Sequence, residues 1–359
     1  MTSFSLHDVF RFDLEGGGPL PDYLRMQYAE FECDGTIDAP ELLVRVERAE
    51  LELPRAMRLS GDDAGYSRSG MQFVLETAAG RLHLDGSTQL ESVDQMTVGP
   101  GFPRMVLNCL LELRFRLAMC HSDTVLVHAC CLARGSTGLL LPAWKGTGKT
   151  SLALTLLDRG YGFLGDDRVW LRRDGELLCY PRYLVINASN AGDFADLLDA
   201  RTRLAHDFNR ALKESARIPE PVARIARRVV PPPVNYFKVA EIFPDAEVPK
   251  RATLRSAFFV VRPGSKDIGW NERSSLEMAT AVGAVGDFEW NADLLSLTAA
   301  HDVLFPEGPS WRQEIDELMR TEREVLRDAF ESACCAEIRL PSEVDWQAVA
   351  DAVDARAKG

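Results

Sequence analysis

Ala143-Trp144-Lys145-Gly146-Thr147-Gly148-Lys149-Thr150 is the stretch of this chain most ready for chemistry. A loop that grips phosphate reads G-x-x-x-x-G-K-[ST]. Gly148, Lys149 and Thr150 stand at the required spacing, and Ala143 replaces the first glycine. Such a loop aims consecutive backbone N–H groups at an anion, and the helix that follows adds its positive end. Lys149 would reach the terminal phosphates, and the Thr150 hydroxyl would hold Mg²⁺. Lys145, Gly146, Thr147 and Ser151 complete the expected nucleotide-binding set. The first glycine serves the exit from the preceding strand, so alanine is tolerable there while φ stays negative.

Asp166 and Asp167 follow Lys149 by seventeen and eighteen residues. Phosphoryl transfer needs a carboxylate near the metal and a base for the acceptor hydroxyl. Two adjacent carboxylates can divide these jobs, one raised in pKa by its neighbour and one ionised at the metal. A solvated turn would carry the same two residues. His128 precedes Lys149 by twenty-one residues in an apolar run. There it is either a satisfied core side chain or a group that orients a catalytic carboxylate.

These residues need a strand, a loop, a helix and a further strand to hold them. The run 124–133 is rich in β-branched and small residues and predicts a strand carrying His128. A buried strand over 138–143 enters the loop. From Lys149 onward Leu152, Leu156 and Leu157 share a helical face, and Gly160 supplies a stop. A third strand, 161–173, ends in or passes through the aspartate pair, and 174–181 returns as a hairpin. Upstream, residues 1–103 alternate with period two between turns, which predicts a β-rich N-terminal domain. Residues 105–120 predict a buried helix. Downstream come helical turns over 187–230, a strand over 254–264, a long amphipathic helix over 311–333, a strand over 336–341 and a last helix. The consecutive prolines of 229–239 exclude a helix there. The expected organisation is 1–103 as one domain and 104–359 as the phosphate-loop domain.

Bulk properties narrow the setting. The chain has 359 residues, 46% of them hydrophobic and 26% charged, with a net charge of −13. That balance argues against a nucleic-acid coat, which needs excess Lys and Arg. The eight cysteines form no C-x-x-C pair and read as small apolar side chains in a reducing cytoplasm. Neither a signal peptide nor a membrane span is expected. Residues 201–255 hold twelve Lys and Arg against six Asp and Glu. There Arg224, Arg227, Arg228 and Lys238 read either as phosphate clamps or as a solvated basic face.

Residues 124–170, with His128, the loop, Arg159-Gly160 and Asp166-Asp167 in this order and spacing, resemble the catalytic core of HPr serine kinases. The likeness is closer to the broad group of HPr-kinase-related proteins. It implies an α/β fold of the phosphoenolpyruvate-carboxykinase-like P-loop type, with a mixed curved sheet preceded by the β-rich domain. It also implies an ATP- and Mg²⁺-dependent kinase with Lys149 at the phosphates, Asp166 as base, Asp167 at Mg²⁺ and His128 as partner of a carboxylate. Ser151 stands where true HPr kinases carry glutamate, and no glycine-rich segment of the HPr kinase/phosphorylase type follows residue 180. The acceptor implied is therefore a hydroxyl of a peptide, another protein or a small molecule, with no nucleic acid or membrane as partner. A nucleotide-binding switch without transfer, and a scaffold with a vestigial loop, are the competing readings. The apolar face of 311–333 leaves a homo-oligomer open.

Overall fold

The computed structural model describes residues 1–33, 40–47, 58–60, 64–86, 88–180, 183–186, 191, 194–214, 236–288 and 292–357. Arg224, Arg227 and Arg228 lie outside the described residues. Both nine-stranded sheets are mixed and helices accompany them, so the class is α/β. The chain forms two compact units, one from Met1–Leu126 with Gly283–Asp328, the other from Val127–Val282 with Ala329–Gly359. The division expected at 103/104 is therefore displaced, and the first unit is discontinuous. Its late return segment pairs with no strand and leaves no compositional mark.

Among the described residues of the first unit, nine short strands form one sheet: β1 (Thr2–Leu6), β2 (Phe10–Glu15), β3 (Glu32–Cys33), β4 (Leu42–Val46), β5 (Arg58–Ser60), β6 (Ala64–Ser69), β7 (Gln72–Thr77), β8 (Gly80–Asp85) and β9 (Gln95–Val98). Their order is β3-β1-β2-β4-β9-β8-β7-β6-β5. Alternation puts Phe4, Phe12, Val44, Met96 and Leu84 in the core, all buried. The sequence reading missed α1 (Pro19–Gln27), although its signal is present in a proline at the first helical turn. Helix α2 (Arg104–Cys120) forms where the spacing predicts it and sets Phe115 against Phe10 and Phe12 at 5.2 and 5.4 Å.

The second large sheet holds β10 (Thr124–Val127), β11 (Ala129–Arg134), β12 (Thr137–Pro142), β13 (Gly162–Gly165), β14 (Val169–Arg172) and β15 (Glu176–Leu178), and a separate pair follows, β16 (Leu184–Val185) and β17 (Tyr236–Phe237). Then come β18 (Arg251–Ser265), β19 (Gly269–Glu272) and β20 (Cys334–Pro341). The main path runs β10-β14-β15-β18-β12-β11-β13, with β20 on β18 and β19 on β20. At its centre β18 runs parallel to β12 on one edge and to β20 on the other. Burial on both faces explains the unbroken apolar run Gly138–Pro142.

Helix α3 (Lys149–Asp158) leaves the loop with nearly every residue buried. The remaining α-helices among the described residues are α4 (Ala200–Glu214), α5 (Val239–Ile242, with Lys238 at its start), α6 (Ser275–Phe288), α7 (Ala292–Leu304), α8 (Trp311–Ala329) and α9 (Trp346–Ala357). Helix α8 ends at Ala329 rather than 333, because Phe330–Ala333 turn into β20. Trp311, Ile315 and Leu318 are buried, and the Trp311 ring stacks on His301 at 3.7 Å. No helix among the described residues is long and apolar enough to cross a membrane.

Candidate phosphate-loop site

Strand β12 delivers the chain to the loop, and Ala143 continues it by bridging in parallel to Val260. Ala143 is fully buried and is not among the residues with positive φ. Extended strand backbone suits alanine as well as glycine, so its replacement of the first glycine leaves the loop intact. The turn closes with the N–H and hydroxyl of Thr147 donating to the Trp144 carbonyl at 3.4 and 2.9 Å. Gly148 has φ 104. A Cβ there would also lie 2.2 Å from the ring of Trp346, the first residue of α9. Helix α3 starts immediately after, with Leu152 N–H bonded to the Gly148 carbonyl. The N–H groups of Lys149, Thr150 and Ser151 therefore belong to the first turn, which has no helical acceptors. Lys145 and Gly146 sit at the exposed tip, whereas Ser151 is buried.

Where one strand was expected over 161–173, the structure has two, broken at Asp166–Arg168. Gly165 makes the break possible: a Cβ there would meet the Arg168 carbonyl at 2.2 Å. Asp167 takes a left-handed φ of 69, a conformation that aspartate tolerates better than most residues. The predicted strand 124–133 is likewise divided, and His128 is the residue between β10 and β11.

These two breaks bring five of the expected residues, His128, Lys149, Thr150, Asp166 and Asp167, together with one that the spacing did not mark. The Lys149 ammonium donates to Asp167 Oδ1 at 2.6 Å and lies 3.0 Å from His128 Nε2. The Thr150 hydroxyl donates to Asp166 Oδ2 at 3.2 Å. Arg168 contacts His128 Nδ1 and donates to the Asp167 carbonyl at 3.0 Å. Asp166 is 1% exposed, and its Oδ1 is a buried oxygen without a protein partner. Burial first, and the Asp167 charge second, push the Asp166 carboxyl up to about 7. Burial pushes Asp167 the same way, but Lys149, then His128 and Arg168, outweigh it and hold that carboxyl down at about 2. The pair is thus split into a group able to exchange a proton near neutrality and a group that stays ionised.

The donor set fits a Mg²⁺ shared with phosphates. That ion uses one or two carboxylates, substrate oxygens and water rather than an all-protein cage. Among the described residues no cluster of three or more His, Cys, Asp or Glu side chains could hold a metal unaided. Thr150 and the orphaned Asp166 oxygen, with Asp167 beside them, are the oxygens on offer.

The sequence reading also missed how α9 braces this region. Arg159 donates to Asp351 at 2.7 Å and to the Gln347 carbonyl at 2.8 Å. The Tyr161 hydroxyl donates to Asp354 at 2.5 Å.

No family model matches the chain, and no curated protein matches it. Among solved structures it is similar to the Hpr(Ser) kinase/phosphatase from Coxiella burnetii, at 15% identity over 41% of this chain and 76% of that one. The TM-score is 0.25. A likeness that loose fixes neither the details of the fold nor an activity.

Proposed function

We propose that this protein is an ATP- and Mg²⁺-dependent kinase that transfers the γ-phosphoryl group to a hydroxyl of a peptide, a protein or a small molecule. One observation carries the reading. The two residues that end the phosphate loop, Lys149 and Thr150, are hydrogen-bonded to two neighbouring carboxylates held in opposite ionisation ranges. The loop N–H groups with Lys145 and Lys149 bind and orient the triphosphate. Thr150 and Asp167 would hold Mg²⁺, which when bound neutralises charge on the phosphate oxygens. Asp166 takes the proton of the acceptor hydroxyl as that oxygen bonds to the γ-phosphorus and the β–γ bridge bond breaks, leaving ADP.

The Thr150–Asp166 bond also favours a second assignment, in which Asp166 shares the metal and Asp167 is the base. Phosphate transfer from labelled ATP into extract peptides and metabolites, followed by mass spectrometry, tests the activity. Product that disappears with Lys149→Ala supports it. Tight Mg·ATP binding without product from any acceptor replaces it with a nucleotide switch. Absence of binding leaves a scaffold.

A further inference from the structure

We propose that Arg168 is a positioning residue that makes His128 a hydrogen-bond donor toward Asp167, and so keeps Asp167 oriented when Lys149 turns to the phosphates. The proposal rests on the phosphotransfer reading for its purpose, but its hydrogen-bond geometry stands independently.

A guanidinium has donors and no acceptor, and so has an ammonium. His128 lies between one of each, with Arg168 at Nδ1 and Lys149 at Nε2, 3.0 Å away. An imidazole with one N–H offers a lone pair to only one of them. Arg168 is the fixed donor, because the Asp167 carbonyl accepts from the same Nη1 at 3.0 Å. The tight turn at Gly165 holds its backbone. Nδ1 is therefore the acceptor, and the ring hydrogen lies on Nε2.

That assignment sets two donors, Nε2–H and the Lys149 ammonium, facing one acceptor, Asp167 Oδ1. Lys149 holds it at 2.6 Å, and Nε2 waits at 4.0 Å. When Lys149 moves to a phosphate oxygen, Asp167 Oδ1 loses that partner, and Nε2–H, 4.0 Å away, is placed to replace it. Arg168 thereby acts on the carboxylate through the ring, as outer partners do when they fix the tautomer of an imidazole. Asp167 has an added need for such support, because its left-handed backbone conformation persists only when its surroundings hold it.

The test is two-bond ¹H–¹⁵N NMR on the full chain labelled at its six histidines, at one mildly alkaline pH. The His128 signals are those lost in His128→Asn. The parent should show an unprotonated Nδ1 and a protonated Nε2. In Arg168→Met the donor at Nδ1 is gone while the Lys149 ammonium stays at Nε2, so the tautomer should invert to Nδ1–H. Arg168→Lys, which retains a donor, should keep the parent pattern and controls for folding. A parent carrying Nδ1–H, or an Arg168→Met spectrum identical to the parent's, overturns the proposal. Turnover then reads the purpose: Arg168→Met should lower kcat by ~10–100-fold, the usual cost of an outer partner, with a far smaller change in KM for ATP. If the parent transfers no phosphate, the kinase reading fails while the spectra still decide the tautomer.

Discussion

Asp166 and Asp167 are adjacent and chemically identical, yet the fold makes them opposites. Asp166 is sealed beneath the Thr150 hydroxyl, whereas Asp167 points to the Lys149 ammonium. Loss of a general base costs ~10²–10⁴ in rate. Asp166→Asn should show that loss in transfer while calorimetric affinity for Mg·ATP stays within a few-fold. Equal loss of affinity would move the metal to Asp166 and the base to Asp167. A base must be ionised to accept a proton, and burial raises the Asp166 carboxyl to about 7. The kcat/KM profile should therefore climb about tenfold per pH unit below that value and level above it. Asp167→Asn removes the neighbouring negative charge, so any residual activity should show its limb displaced toward lower pH. Stability carries the opposite sign. The folded state favours the protonated form of Asp166, so ionisation costs nothing below the ordinary carboxylate value of 3.8. The cost grows as pH rises past that value and is complete above about 7. In thermal melts Asp166→Asn should be more stable than the parent at about pH 8, with the gap closing as pH falls toward 4. An Asn variant that melts lower at the alkaline end would mean Asp166 is not the strained carboxylate.

The elements that carry these residues differ in how openly the sequence announces them. Strand β12, the loop and α3 are legible because an apolar run, a glycine pattern and a helical period follow one another without interruption. The breaks at His128 and at Asp166–Arg168 are not, since β-rich residues continue on both sides and only tertiary pairing divides them. Arg168 stands beside the aspartate pair, but its partner His128 is distant in sequence, and no local spacing marks their contact. Trp346 is hidden for the same reason. Its ring fills the space where Gly148 lacks a Cβ, so the last helix fixes the loop that opens α3. Two penalties meet in Gly148→Ala: a residue other than glycine at φ 104, and a methyl 2.2 Å from an indole carbon. Backbone strain of this kind costs about 1–3 kcal/mol. Urea unfolding should show at least that loss. Trp346→Ala removes the collision but not the strain, so the double variant should be more stable than the sum of the two singles. Strict additivity would show that the indole does not press on the loop.

At the scale of the whole molecule, the chain leaves its first unit after Leu126 and returns to it at Gly283–Asp328. The return segment is poorly legible in sequence, because α8 looks like any amphipathic helix, α7 is apolar without a polar face, and nothing in their composition assigns them to the earlier strands. Particular residues show where they belong. Trp311 donates its ring N–H to the Thr88 carbonyl, His301 Nε2 meets the Gly86 carbonyl at 2.6 Å, and Glu314 accepts from the Leu90 N–H. Arg116 of α2 pairs with Glu322 of α8 through two bonds, and both side chains are largely buried. A fragment that starts at 127 keeps the phosphate loop but strips α7 and α8 of all these partners, and one that starts at 104 keeps only Arg116 among them. Trp311, Ile315, Leu318 and Leu297 are buried at 0–4% exposure in the intact chain and would face water. Transfer of such side chains out of a core costs roughly 1.5–3 kcal/mol each. A 127–359 fragment should therefore elute as aggregate in size exclusion, despite holding every residue of the candidate site. Replacing 283–328 in that fragment with a flexible Gly/Ser linker removes the exposed faces and should restore a monodisperse species that binds Mg·ATP. If the unmodified fragment is monodisperse and binds as well as the full chain, the return segment is not an integral part of the first unit.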